Sequence, residues 1–95
     1  MTGNYIAIVE CPMSAGEAWW ISFPGFPGVI SAADGPDQVL PQARDALATA
    51  IEAMRAEGRI PPATIEGGEF PAYDLADYEH PLVVLVPSPE MAKVA

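Results

Sequence analysis

Acidic side chains dominate the chemistry this sequence can offer. Asp and Glu number 13 against four Lys and Arg, a formal charge of −9 over 95 residues. Glu66, Glu69, Asp74, Asp77 and Glu79 fall within residues 60–81, a stretch with no Lys or Arg. A field of this sign repels phosphate backbones and anionic lipid, and it steers in a basic protein. The expected partners are therefore a protein, with no direct nucleic acid and no membrane. The plainer reading is that a negative surface keeps a small protein soluble and that five acids on one loop form a solvated face.

Nucleophiles and bases are sparse. His80, the sole histidine, could be imagined as a general base, yet no nucleophile stands at a recognisable spacing from it. Ser14, Ser22, Ser31 and Ser88 lack the strand-turn-helix setting of a nucleophile elbow, and Gly67-Gly68 lacks the lysine of a phosphate loop. His80 therefore reads as a surface or capping residue. Cys11 is the single cysteine, so no internal disulfide can form. With no base or cation beside it to favour the thiolate, it reads as a small apolar filler in a cytoplasmic protein. The opening "MTGNYIAIVECP" lacks the basic segment and long apolar core of a leader, and no apolar run reaches the roughly 18 residues of a membrane span.

The elements that position these residues follow from periodicity. The chain is one domain, residues 1–95, with 51% apolar residues, enough for a single core. Alternation predicts strands near 5–10, 18–23 and 29–33, forming an antiparallel meander. In the first, Ile6 and Ile8 share one face, with Tyr5 and Val9 near the other. In the second, Trp19, Ile21 and Phe23 share a face and Trp20 lies opposite, free either to meet a helix or to form a contact surface. Between the second and third strands stands "FPGFPG", in which Pro24, Gly25, Pro27 and Gly28 are suited to tight turns and Phe26 is expected as an exposed or half-buried tip. Asp34-Gly35-Pro36-Asp37 then opens a helix near 36–57, with Asp34 or Gly35 as cap. Its apolar stripe is Leu40, Ala43, Leu47, Ala50, Ile51 and Met54. Pro41 lies inside this helix and leaves two possibilities, a kinked first turn or a regular helix that begins near Pro41. An acidic, proline-rich loop at 60–81, anchored by Ile65, Phe70 and Tyr73, leads to a last strand at 82–86. That strand is continuously apolar, as if covered on both faces or lying in an interface, and is expected inside the sheet. The fold class is α+β, in the order β-β-β-α-β.

Three segments together resemble the HicB antitoxin family: "YIAIVE" at 5–10, "WWISFPGFPGVIS" at 19–31 and "QARDALATAIEAMRAEGRIPP" at 42–62. The resemblance spans about residues 4–62, with Leu82 to Val86 as the family's last strand. It implies a partial RNase H-like fold and a partner, a small basic HicA-like toxin that cuts messenger RNA. Gly25 stands where the family usually has an acid. Many family members continue into a DNA-binding segment that this chain, ending at Ala95, does not show, so operator binding is not expected.

An RNase H-like outline also invites a nuclease, with Glu10, Asp34 and Asp74 or Asp77 gathering Mg²⁺. Glu10 at a strand end and Asp34 at a helix cap already have structural roles, and no spacing motif brings the acids together. No catalytic residue, metal or cofactor is therefore expected. The reading is an antitoxin-like binding protein that occludes a basic toxin. Its expected contact residues are Trp20, Phe26, Glu66, Glu69, Asp74, Asp77 and Glu79, and unpaired strand edges suggest a homodimer or higher homo-oligomer. The alternative is a solitary HicB-like structural or ligand-binding domain with no toxin.

Overall fold

The computed structural model describes residues 3–64, 75, 76 and 78–89. Three strands, β1 (Asn4–Glu10), β2 (Trp19–Ser22) and β3 (Ile30–Ala33), are followed by the helix α1 (Pro36–Ala56) and the strand β4 (Pro81–Pro87). They form one antiparallel sheet in the order β3-β2-β1-β4. The α+β class and the β-β-β-α-β order are as the sequence predicts.

Register divides the sheet into two faces, because cross-strand partners project to the same side. Val9 lies opposite Ile21 and Leu82, and Ala7 and Tyr5 lie opposite Val84 and Val86. This face meets α1; Tyr5, Ala7, Val9, Ile21 and Val86 form the core with Phe23, Phe26, Ala33, Val39, Ala43, Leu47 and Ile51, Val84 packs against it, and Leu82 at its margin is exposed. Leu47, Ile21, Val9 and Val86 are fully buried, each contributing about 2 kcal/mol of hydrophobic stabilisation. The helix residue at the head of the stripe is Val39; the expected Leu40 is exposed. Every fourth position drifts about 40° around a helix of 3.6 residues per turn, so Val39, Ala43, Leu47 and Ile51 form a stripe that slants across the side facing the sheet.

Helix α1 runs unbroken through Pro41, which lies near its start and on the solvent side. Its N-cap is Gly35, in extended conformation and without a side-chain cap bond. Its C-terminus closes as a Schellman turn. The Arg59 N–H donates to the Met54 carbonyl at 2.8 Å and the Gly58 N–H to that of Arg55 at 3.0 Å, with Gly58 at φ +77. Beyond it, the Tyr5 hydroxyl donates to the Pro62 carbonyl at 2.9 Å, tying the exit of the helix to the central strand.

Two expectations are corrected. Among the described residues the last strand lies at the sheet edge, paired only with β1; β1 and β2, not β4, are the strands enclosed by neighbours. Phe26 is not an exposed tip. The residues from Phe23 to Val29 form two successive turns that share Phe26, with the Phe26 N–H donating to the Phe23 carbonyl at 2.9 Å and the Val29 N–H to the Phe26 carbonyl at 3.1 Å. Two turns in sequence fold the loop back on itself. This drives the Phe26 ring under the sheet, where it is 4% exposed and meets Tyr5 and Phe23 edge to face at 5.2 and 6.5 Å. Ile65, Phe70 and Tyr73, expected as loop anchors, lie outside the described residues. Among the described residues no helix is long and apolar enough to cross a membrane.

Candidate functional site

The face of the sheet away from α1 carries Glu10, opposite Trp20 on β2 and Pro81 on β4, and Ile8, opposite Ser22 and Val83. Ile6 and Ile8 are buried here although the helix lies on the other side. Tyr78 reaches this face, its hydroxyl 3.3 Å from the Ser22 Oγ, which itself donates to the Ile8 carbonyl at 3.4 Å. Trp20 is different. It projects from the same face with 55% of its surface in solvent, because β2 ends one side of a cleft that no described residue closes.

That cleft is open and about 790 Å³ in volume. Its walls are Glu10 and Cys11 at the end of β1, Met13, Ser14 and Glu17 in the β1–β2 connection, Trp20 on β2, and Glu79 before β4. Three carboxylates and an exposed indole therefore share one surface, with no Lys or Arg among its described lining residues. Arg44 and Arg55 lie on α1 and Arg59 just beyond it, in the other layer of the molecule. Exposed Met13 adds apolar area beside Trp20.

The three acids differ in what they are free to do. The Glu10 carboxylate accepts the backbone N–H of Glu79 at 2.9 Å and of His80 at 2.6 Å. These bonds, that of His80 foremost, hold its pKa below the ordinary carboxylate value. Nearby, the Cys11 N–H donates to the His80 carbonyl at 3.1 Å. Glu10 is thus a clamp that fastens the approach to β4 onto β1 and keeps its charge while doing so. Glu17 accepts from the Ser14 N–H at 3.3 Å within its own turn and, like Glu79, is exposed.

Of the residues singled out from sequence, Trp20 and Glu79 are brought together in this cleft, and Phe26 is removed to the core. Pro24, Gly25, Pro27 and Gly28 form the double turn. Glu66, Glu69, Asp74 and Asp77 lie outside the described residues. Met13 and Glu17 were not anticipated; their signal was position, since the β1–β2 connection must pass beside the Glu10–Trp20 pair. Glu10 and Asp34 do not gather with a third ligand: among the described residues no three of His, Cys, Asp and Glu form a metal-holding group. His80 turns its backbone to Glu10 and Cys11 and has an exposed side chain.

A family model described as "HicB-like antitoxin of bacterial toxin-antitoxin system" matches residues 5–92. Among solved structures, a chain of a "HicA3 and HicB3 toxin-antitoxin complex" is similar with a TM-score of 0.63 and 21% identity, over 87% of this chain and 94% of that one. No curated protein matches.

Proposed function

The chain belongs to the HicB-like antitoxin family, and from that premise we propose that it neutralises a small basic HicA-like ribonuclease toxin by covering it. The family is described as an antitoxin of bacterial toxin-antitoxin systems. The observation that carries the proposal is the cleft at Trp20: an indole with 55% exposure among Glu10, Glu17 and Glu79, with no cation among the described lining residues. An arginine or lysine of the toxin enters there, its charge facing Glu17 and Glu79 and its stem or guanidinium against the indole. A buried aromatic anchor within a charged surround is the usual composition of an energetic centre in a protein interface. The similarity to a chain from a toxin–antitoxin complex supports a partner of the same kind.

The remaining features of the proposal are cytoplasmic residence, with the toxin, and self-association through strand edges. The toxin is met by steering: at −9 on 95 residues, the field raises the encounter rate, while contacts around Trp20 set how long the complex lasts. The same field opposes contact of this domain with phosphate backbones. The test mixes the purified chain with the HicA-like protein of the same host and follows RNA cleavage. Stoichiometric loss of cleavage, relieved by Trp20→Ala, is expected. Undiminished cleavage at excess chain would overturn the proposal and favour a solitary domain.

A further inference from the structure

Strand β4 pairs with β1 from Asn4↔Pro87 to Glu10↔Pro81, and among the described residues its other side meets no strand. The bonds just beyond each end reveal which residues point which way. The Cys11 N–H donates to the His80 carbonyl at 3.1 Å and the Ser88 N–H to the Gly3 carbonyl at 3.0 Å, so even-numbered residues of this segment turn their backbone groups toward β1. Antiparallel ladders alternate. Leu82, Val84 and Val86 therefore bond inward, and Pro81, Val83, Leu85 and Pro87 face the free edge. Two of these four outward positions are proline, which has no N–H to offer and costs the ladder nothing there. The edge is left with two donors, Val83 and Leu85.

The segment Pro81-Leu82-Val83-Val84-Leu85-Val86-Pro87 is symmetric in kind about Val84, with proline at both ends and only Leu or Val between. A two-fold axis at Val84 sets Val83 opposite Leu85 of a second copy, and Leu85 opposite its Val83. Each outward N–H then meets an outward carbonyl, and prolines face prolines where no donor is needed. The same axis covers the exposed apolar surface of this strand: Leu82, 50% exposed, comes opposite Val86 of the second copy, and Leu85, 38% exposed, opposite its Val83. No ionisable residue lies between Pro81 and Pro89, so the net charge is not concentrated at the contact. Antiparallel pairing also carries Glu79 of one copy toward residue 89 of the other. The two acidic clefts thereby lie at opposite ends of the contact, about 33 Å apart for ten residues of strand.

We infer that the chain self-associates through β4, antiparallel and centred on Val84, joining two sheets into one and leaving both Trp20 clefts open. This rests on the reading that the chain self-associates and names the surface that does it. The other edge, β3, has four residues, and by the same alternation turns only Ile30 and Ala32 outward. A contact of seven residues per copy is small, so association in roughly the micromolar range is expected.

Sedimentation of the full chain across concentrations tests this, beside Val83→Pro and Leu85→Lys. Val83→Pro deletes an outward donor that β1 does not use, at a position equivalent to those Pro81 and Pro87 already occupy. It should weaken self-association tenfold or more with little change in circular dichroism. Leu85→Lys, which sets like charges about the axis, should do the same and serves if the proline variant fails to fold. A wild-type chain that stays monomeric at high concentration would overturn both the surface and self-association. A dimer equally stable in the folded variants, or one lost instead in Ala32→Pro, would overturn the β4 surface while self-association stands. Binding of the toxin is read separately and does not enter either outcome.

Discussion

The Glu10 carboxylate lies 2.6 Å from the His80 backbone nitrogen, a hydrogen bond between residues 70 positions apart in the chain. It closes the long excursion between α1 and β4 and fixes where β4 starts against β1. Because the bond favours the ionised carboxylate, the pKa of Glu10 is lowered in the folded state. A lowered folded pKa contributes stability that is present above the unfolded value and is lost as pH falls through the folded one. Native hydrogen exchange should show the Glu79 and His80 amides protected from neutral pH down to the ordinary carboxylate range, with protection failing below it. In Glu10→Ala that acid-side dependence should vanish and both amides should exchange faster. Unchanged protection in the variant would mean that the clamp does not hold the loop.

The two glycines of the double turn are not equivalent. Gly28 has φ +85 and sits third in a turn with Pro27 second, the arrangement of a type II turn. Its substitution by Ala meets open space but forces a side chain into left-handed backbone, at a cost of about 1–2 kcal/mol. Gly25 does not have positive φ, and an added Cβ would meet Pro62 at 3.7 Å, an ordinary contact. Gly25→Ala should therefore be neutral or raise stability by about 0.4–1 kcal/mol through the unfolded chain. Thermal unfolding should show Gly28→Ala lower by several degrees and Gly25→Ala not lower. The backbone at Gly25 can thus accept the acid usual in the family, and its absence here is not a conformational requirement.

The strands and the helix were legible because each rests on local periodicity: Trp19, Ile21 and Phe23 alternate, and Ala43, Leu47 and Ile51 repeat every fourth residue. The exposed side of Trp20 followed from the same alternation. What periodicity does not encode is how consecutive turns add. Two Pro-Gly turns in series reverse the loop, and this sends Phe26 inward, whereas one turn alone would have left it at a tip. The edge position of β4 was similarly hidden, since a strand with one buried face and unpaired backbone reads as apolar in the same way as an enclosed one. The Glu10 clamp depends on a 70-residue separation that no local pattern reports.

Phe26 gives a direct check of that inward reversal. A phenylalanine that is 4% exposed and meets two aromatic rings should cost about 3–5 kcal/mol when replaced by Ala. A tip residue would cost a few tenths. Urea unfolding of Phe26→Ala should show a loss of that size, and Phe26→Leu a smaller one. A midpoint shift within error would return Phe26 to the surface.

Trp20 and the acids around it should separate the two halves of toxin binding. Exposed as it is, Trp20 can be replaced without opening the core, so Trp20→Ala should fold with near-native stability. Loss of an aromatic anchor in an interface typically costs 2 kcal/mol or more, about thirtyfold, and most of that appears in dissociation. The acids act earlier. Steering is screened over roughly 8 Å at physiological salt, so Glu17→Gln with Glu79→Gln should slow association at low salt and leave it unchanged at high salt. Extending the set to Glu66, Glu69, Asp74 and Asp77 should deepen the low-salt effect and flatten the salt dependence further. Stopped-flow association and surface-capture dissociation with the HicA-like partner measure the two rates independently. Should Trp20→Ala leave the complex as long-lived as before, the cleft is not the contact, even if neutralisation itself is found.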